Sequence, residues 1–128
     1  MARKRSAACK RWRVREVIAD PYRWARSLQL LASEGLTVHE FPQSPQRMIP
    51  ATARFYEAVI NRTLSHSGDS RAARHVANCV LRIDGRGTRL AKAHKSSSRH
   101  IDLAIAAVMA FDRAAQRKPA PFVGVAWI

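Results

Sequence analysis

Two aspartates occupy positions where the surrounding pattern predicts metal-dependent chemistry. Asp20 follows the short, β-branched run VREVIA at residues 14–19 and precedes Pro21, as expected at the carboxyl end of a strand. Asp102 lies in the first turn of a helix predicted over residues 99–116, beside its apolar stripe. If that helix packs across the sheet, the two carboxylates can converge on one site. Carboxylate oxygens suit Mg²⁺ or Mn²⁺, and paired cations of this kind promote phosphodiester hydrolysis.

Each aspartate also has a simpler explanation. Asp20 can cap a helix that begins at Pro21, and Asp102 can complement the dipole of its own helix. His75 and Cys79, four residues apart on a predicted helix, are a weaker metal pair because two ligands do not complete a zinc site. The sequence contains neither a nucleophile elbow nor a Walker phosphate loop.

Basic side chains predict a polyanionic partner. The 128 residues contain 23 Lys and Arg against nine Asp and Glu, which gives a net charge of +14. Arginine predominates, and its planar guanidinium can contact a phosphate through two hydrogen bonds. Nucleic acid is the commonest such partner, and we expect it to be bound with little sequence preference. The alternative is a solvated surface in an organism whose composition favours Arg. The predicted contacts are Arg11, Arg13 and Arg15 near the start of the chain, and Lys92 and Lys95 in a loop before Asp102.

The elements that must position these residues predict an α/β fold. Residues 14–19 and 36–41 read as strands that flank one helix, and this order with tight connections is typical of parallel pairing. A third strand is predicted at residues 80–83, followed by a turn, and residues 88–91 could return as a fourth. Helices are predicted at about residues 21–35, 50–64, 70–79 and 99–116.

Length and composition limit the class of protein. The chain is long enough for one domain with a sizeable core, and its hydrophobic fraction of 47% is too high for a disordered basic tail. It contains no stretch that could cross a bilayer and no secretory signal, so we expect no membrane partner and a cytoplasmic location. The predicted organisation is a basic disordered arm at 1–11, a domain at 12–117 and an apolar tail at 118–128.

Six ordered blocks of the sequence resemble the C-terminal nuclease part of the tailed-phage terminase large subunit. Together they cover about residues 12–116, at consistent spacing. The blocks are VIADP at 17–21, FPQSPQRM at 41–48, LSHSGD at 64–69, RHVAN at 74–78, GTRLAK at 87–92 and HIDLAIAAVMA at 100–110.

The resemblance implies a partial ribonuclease-H-like fold, with parallel strands and flanking helices but without the first strands. It also implies an endonuclease that cuts phage DNA during genome packaging in the bacterial host, with two Mg²⁺ or Mn²⁺ ions held by three acids. Asp20 matches the second acid and Asp102 the third, while the first has no counterpart here. His100 stands where the family usually has a basic residue. The terminase small subunit and the portal are the partners that the resemblance implies.

Two functions follow as hypotheses, and a third interpretation is a pseudogene-like remnant without function. The first is a metal-dependent DNA endonuclease module of a terminase, impaired on its own because neither the first acid nor the packaging ATPase has a counterpart. Asp69 or Asp84 could in principle replace that acid, although both lie in predicted loops. The second hypothesis is a non-catalytic basic protein that binds DNA or joins a packaging complex.

Overall fold

The computed structural model describes residues 2–116, and their side chains from residue 7 onward. Five helices and four strands lie along this part of the chain. The elements are α1 (Ala2–Arg11), β1 (Val17–Ala19), α2 (Ala25–Ser33), β2 (Val38–Glu40), α3 (Pro45–Ile60), α4 (Ser70–Ala77), β3 (Val80–Asp84), β4 (Gly87–Ala91) and α5 (Asp102–Gln116).

Strands β1 and β2 form a small parallel sheet, which confirms the predicted pairing. Val17 lies opposite Val38, and Ala19 lies opposite Glu40. Helix α2 connects the two strands and ends before Gly35, whose φ of +84° is a left-handed value that glycine adopts without strain. Because the strands run in the same direction, the residues that follow β1 and β2 emerge at one edge of the sheet.

Strands β3 and β4 form an antiparallel hairpin that is a separate sheet within the described residues. Its turn is closed at Asp84, whose carboxylate accepts a hydrogen bond from the backbone N–H of Arg86 at 2.9 Å. The return strand that the sequence left open is therefore present as β4. Every residue of β3 is exposed, whereas β4 is half-buried and packs against α3.

The core lies between α3, α5 and the two sheets. Met48 and Ala51 of α3 meet Val108 and Met109 of α5 around the buried ring of Phe41. The apolar stripe predicted for α5 faces this core, except that Ala115 at its end is exposed. Ile18 of β1 and Leu90 of β4 pack against the cluster, so both sheets rest on the same pair of helices.

A buried carboxylate interrupts this apolar packing. Asp112 of α5 is almost fully buried and forms an ion pair with Arg54 of α3. The Gln116 side chain donates a second hydrogen bond to it at 2.7 Å. The sequence pattern did not predict this residue as buried, because Arg54 lies 58 positions away and reaches it only in the folded chain.

Helix α3 begins five residues before the predicted start at Pro50. Pro45 occupies its first turn, where a missing N–H is tolerated, and Pro50 lies within the helix on an exposed side. Phe55 of this helix packs against the core, whereas Val59 and Ile60 are exposed.

The start of the chain is helical. Residues 2–11, predicted as a disordered arm, form helix α1, which is consistent with a run rich in Ala, Arg and Lys without Gly or Pro. The predicted apolar tail, 118–128, lies outside the described residues. Within the described residues, no helix combines the length and the hydropathy that crossing a membrane requires.

Candidate functional site

Asp20 directly follows β1 at the carboxyl edge of the parallel sheet. Its carboxylate accepts hydrogen bonds from the backbone N–H of Tyr22 at 2.9 Å and of Gln43 at 3.4 Å. The first bond belongs to the turn that precedes α2, whose N-cap is Trp24, so Asp20 is not the cap of that helix. The second bond connects Asp20 to the segment that follows β2. The Asp20 carboxylate thus accepts hydrogen bonds from the segments that follow both β1 and β2.

Asp102 is the first residue of α5. The preceding Ile101 is buried in the core, while the Asp102 side chain is 77% exposed. An imidazole nitrogen of His100 lies 3.4 Å from its carboxylate. A negative charge in the first turn also complements the helix dipole, so the structure is compatible with that role as well.

The two aspartates line the same cavity, of about 560 Å³, between the sheet edge, the β3–β4 hairpin and the start of α5. Ile18, Ala19 and Met48 contribute its apolar walls. The sequence predicted that Asp20 and Asp102 would share a site, and the fold brings both to this cleft. Its remaining lining residues are Trp24, Gln43, Arg89, Leu90, Ala91, Lys92, Ile101, Ile105, Ala106 and Met109.

Basic side chains share the cleft with the carboxylates. Lys92, a predicted DNA contact, follows β4 and lines the cavity, whereas Lys95 lies exposed in the next loop and does not. Arg89 also lines the cavity, and the Asp84 carboxylate lies 3.3 Å from its guanidinium. A cleft that combines carboxylates with cationic groups can accept a divalent cation and a phosphate together.

The other predicted DNA contacts lie before β1. Arg11 ends α1, and its guanidinium carbon is 4.7 Å from the centre of the Trp12 ring, a cation–π distance. Arg13 and Arg15 are exposed in the connection between α1 and β1. These three residues are therefore close in sequence to the strand that ends at Asp20, although they do not line the cavity.

Neither proposed substitute for the missing acid lies in the cleft. Asp69 is the N-cap of α4 and pairs with Arg71 at 2.8 Å, while Asp84 is occupied in the hairpin by Arg86 and Arg89. Among the residues that the structure describes, no three His, Cys, Asp or Glu side chains are grouped so that they could hold a metal ion.

His75 and Cys79 do not form the metal pair considered from the sequence. The Cys79 thiol donates a hydrogen bond to the backbone carbonyl of His75 at 3.3 Å, and burial raises the pKa of that thiol. A raised pKa leaves less thiolate, the form that binds metal. The His75 ring is itself engaged, since its Nδ1 accepts the backbone N–H of Leu103 at 3.0 Å.

Two cleft residues were missed by the sequence reasoning. Gln43 follows β2 at the same sheet edge as Asp20, and the rule that ligands bind where parallel strands end could have indicated it. Arg89 precedes Lys92 by three positions, in a strand that the sequence left open. Without that strand, no pattern placed the Arg89 side chain on the cleft.

A further ion pair joins Glu16, the residue before β1, to α5. The Arg113 guanidinium donates to both oxygens of Glu16, at 2.8 and 3.3 Å, and this contact raises the pKa of Arg113. His39 of β2 completes the cluster, with its Nε2 3.0 Å from the same guanidinium. The pair fixes the position of α5 relative to the parallel sheet from which Asp20 extends.

Comparison with known proteins agrees with the resemblance. No curated protein and no solved structure matches the chain. A family model described as the terminase large subunit, endonuclease domain, matches residues 4–118, which extends the resemblance beyond residues 12–116 at both ends. That match spans most of the chain and contains both cleft aspartates, and the chain therefore belongs to the family of terminase large subunit endonuclease domains.

Proposed function

We propose that this chain is a metal-dependent DNA endonuclease module of a phage terminase. The observation that carries the proposal is the shared cleft, in which Asp20 and Asp102 line one cavity with Lys92 and Arg89. Family membership supplies the class of reaction, hydrolysis of a DNA phosphodiester. The cleft supplies the residue types that such a reaction requires.

The donor set of the cleft fits a hard divalent cation. Mg²⁺ is commonly held by one or two carboxylates, with water and substrate phosphate as its other ligands, and Asp20 and Asp102 provide two carboxylates. The hydrogen bonds from Tyr22 and Gln43 would keep the Asp20 oxygens oriented. We propose Mg²⁺ or Mn²⁺ as the cofactor, with Asp20 and Asp102 as its ligands. Such a cation supplies Lewis-acid activation of the scissile phosphate.

The basic residues would position the DNA backbone. Lys92 can attract a phosphate to the cleft, and Arg89, oriented by Asp84, can donate hydrogen bonds to it. Arg11, Arg13 and Arg15 would extend the contact along the duplex before β1, and Lys95 would do so beyond β4. We therefore propose double-stranded DNA as the substrate.

The wider context of the proposal comes from the family. A partial ribonuclease-H-like fold is supported by the parallel pair β1–β2, which ends in an aspartate and is covered by helices. The terminase small subunit and the portal are proposed partners, and the bacterial cytoplasm is the proposed place of action. Because the described residues bring no third acid to the cleft, we expect the isolated chain to cut DNA poorly.

Titration of the purified chain with Mn²⁺ tests the site. Asp20→Asn and Asp102→Asn should each weaken Mn²⁺ binding at least about tenfold, because each removes a charged ligand. Glu34→Gln is the matched control, since Glu34 is an exposed acid at the end of α2 and does not line the cavity. Any nicking of supercoiled plasmid in Mn²⁺ should disappear in both aspartate variants. Unchanged Mn²⁺ affinity in either variant would overturn the proposal.

The non-catalytic alternative has one observation in its favour, the net charge of +14 without a third acid in the cleft. It predicts DNA binding whose affinity falls steeply with salt, as phosphate contacts require, without any dependence on Asp20 or Asp102. Fluorescence anisotropy with labelled duplex DNA, read beside the Mn²⁺ titration, separates the two functions. DNA binding combined with Mn²⁺ affinity that ignores both aspartates would favour the alternative.

A further inference from the structure

Two side chains at the end of helix α4 form hydrogen bonds with the backbone on either side of Asp102. The Asn78 side-chain amide donates a hydrogen bond to the backbone carbonyl of His100 at 3.0 Å. The backbone N–H of Leu103 donates to Nδ1 of His75, also at 3.0 Å. His75 lies in α4 and Asn78 is its C-cap, and residues three apart face the same side of a helix. The two bonds therefore bracket Asp102, one on each side of it.

The Leu103 bond satisfies a group that the helix cannot satisfy itself. The first N–H groups of an α-helix have no partner in the preceding turn, and they are commonly capped by a residue just before the helix. At α5 the acceptor comes instead from another helix. Since Nδ1 of His75 accepts this bond, the proton of the neutral ring lies on Nε2.

A third contact continues from α4 to the carboxylate. The His75 and His100 rings are stacked, with centroids 6.2 Å apart and planes 22° from parallel. His100 in turn places its Nδ1 3.4 Å from an Asp102 oxygen. His75 thus contacts the segment at two points, the backbone N–H of Leu103 and the ring of His100.

These polar contacts must provide much of the attachment between α4 and the start of α5, because α4 has no buried residue. Its packing against α5 is correspondingly shallow, and loss of one oriented hydrogen bond should allow the start of α5 to move. Ile101, just before α5, and Ala104 and Val108 within it are buried in the core, so the helix itself would stay in place.

We propose that His75 and Asn78 are positioning residues for Asp102. They do not touch the cation or the DNA; they fix the backbone on both sides of the carboxylate and thereby its direction into the cleft. The proposal rests on the proposed function, in which Asp102 is a metal ligand. Groups that orient a metal ligand commonly change metal affinity by about 10- to 100-fold when they are removed.

Paired substitutions at His75 separate the hydrogen bond from the side-chain volume. His75→Asn keeps an acceptor near the position of Nδ1, whereas His75→Leu fills the space without one. Asn78→Ala removes the second bond. The matched control is His66→Leu, because His66 also accepts a backbone N–H, that of Gly68 at 3.1 Å, but lies in the loop before α4.

Two measurements on the full chain report on the hold and on the site. Amide hydrogen exchange at Leu103, followed by NMR, should accelerate about tenfold or more in His75→Leu, because the N–H loses its acceptor. Mn²⁺ affinity should fall about tenfold in the same variant. Both should be largely restored in His75→Asn and unchanged in His66→Leu, and Asn78→Ala should lower Mn²⁺ affinity in the same direction.

The outcomes distinguish this proposal from the function on which it rests. If Asp102→Asn leaves Mn²⁺ binding unchanged, the metal site itself is wrong. If Asp102→Asn abolishes binding but His75→Leu and Asn78→Ala both leave it within about twofold, the positioning role is wrong. Should His75→Leu fail to fold, Asn78→Ala decides the question, and Mn²⁺ affinity unaffected by Asn78→Ala then overturns the proposal.

Discussion

The two carboxylates of the cleft are positioned by regions of unequal packing. Asp20 follows a strand that rests on the core, and its oxygens accept two backbone hydrogen bonds at the sheet edge. Asp102 stands at an exposed helix start, gripped by a surface helix without buried residues. The position of Asp20 should therefore be lost only when the whole domain unfolds. The position of Asp102 should change when a single polar contact is removed, while the fold persists.

The largest expected effect concerns the region behind Asp20. Phe41 follows β2, is 2% exposed, and contacts the core residues of α3 and α5. Phe41→Ala should lower the free energy of unfolding by about 3–5 kcal/mol, because it removes a buried ring and leaves a cavity. Urea denaturation measures this loss.

The control for that substitution is another aromatic residue of the same domain. Tyr56 of α3 is 63% exposed, so Tyr56→Ala should change the free energy of unfolding by no more than about 0.5 kcal/mol. Equal losses in the two variants would show that the core does not centre on Phe41.

A medium effect is expected where the hairpin meets α3. Gly87 begins β4 with a φ of +137°, and a Cβ added there would lie 2.7 Å from Cγ2 of Ile49. Gly87→Ala should cost about 1–3 kcal/mol in unfolding free energy through this clash and the backbone strain. The hairpin carries Arg89 and leads into Lys92, so the substitution also tests whether that wall of the cleft depends on the packing of β4 against α3.

Gly85 is the matched control, because a Cβ added there meets nothing within 4 Å. Gly85→Ala should be nearly neutral in the same denaturation experiment. The losses of Gly87→Ala and Ile49→Ala should be less than additive in the double variant, because the clashing methyl is removed. A Gly87→Ala protein as stable as the Gly85→Ala protein would contradict the close approach of β4 to α3.

The smallest effect concerns pH and the surface helix α4. Hydrogen bonds from the Arg71 side chain, and then from the backbone N–H groups of Arg71 and Ala72, hold the pKa of Asp69 well below its usual range. A folded-state pKa below the unfolded value means that the carboxylate stabilises the fold above about pH 4. This contribution declines as pH falls below that value and is lost as pH falls through the folded pKa.

The comparison of wild type with Asp69→Asn isolates this contribution. Asparagine still accepts the capping hydrogen bonds but carries no charge. Wild type should be the more stable protein at pH 7, and the difference should shrink as pH is lowered toward 3. Urea denaturation across this range checks it, with Glu34→Gln as the acid-to-amide control. A difference that is constant with pH would contradict the role assigned to the Asp69 charge.

Local pattern predicted the elements that carry Asp20. A β-branched run before Asp-Pro, one amphipathic helix and a second short strand were sufficient for the parallel pair and its ligand edge. The return strand β4 and the early start of α3 were harder to predict from the sequence. The first depends on pairing across a turn, and the second on a proline that is tolerated within a helix whose other side is buried.

The sequence by itself determined the charge, the residue types and the periodicities, and these sufficed to predict an α/β fold and the two aspartates. Only the tertiary structure decided that Arg54 neutralises Asp112, that Arg89 lines the cleft, and that His75 caps α5. The last contact joins residues 28 positions apart, and the first joins residues 58 apart. Helical and strand periodicity describe neighbours within one element, so contacts between elements appear only when packing brings them together.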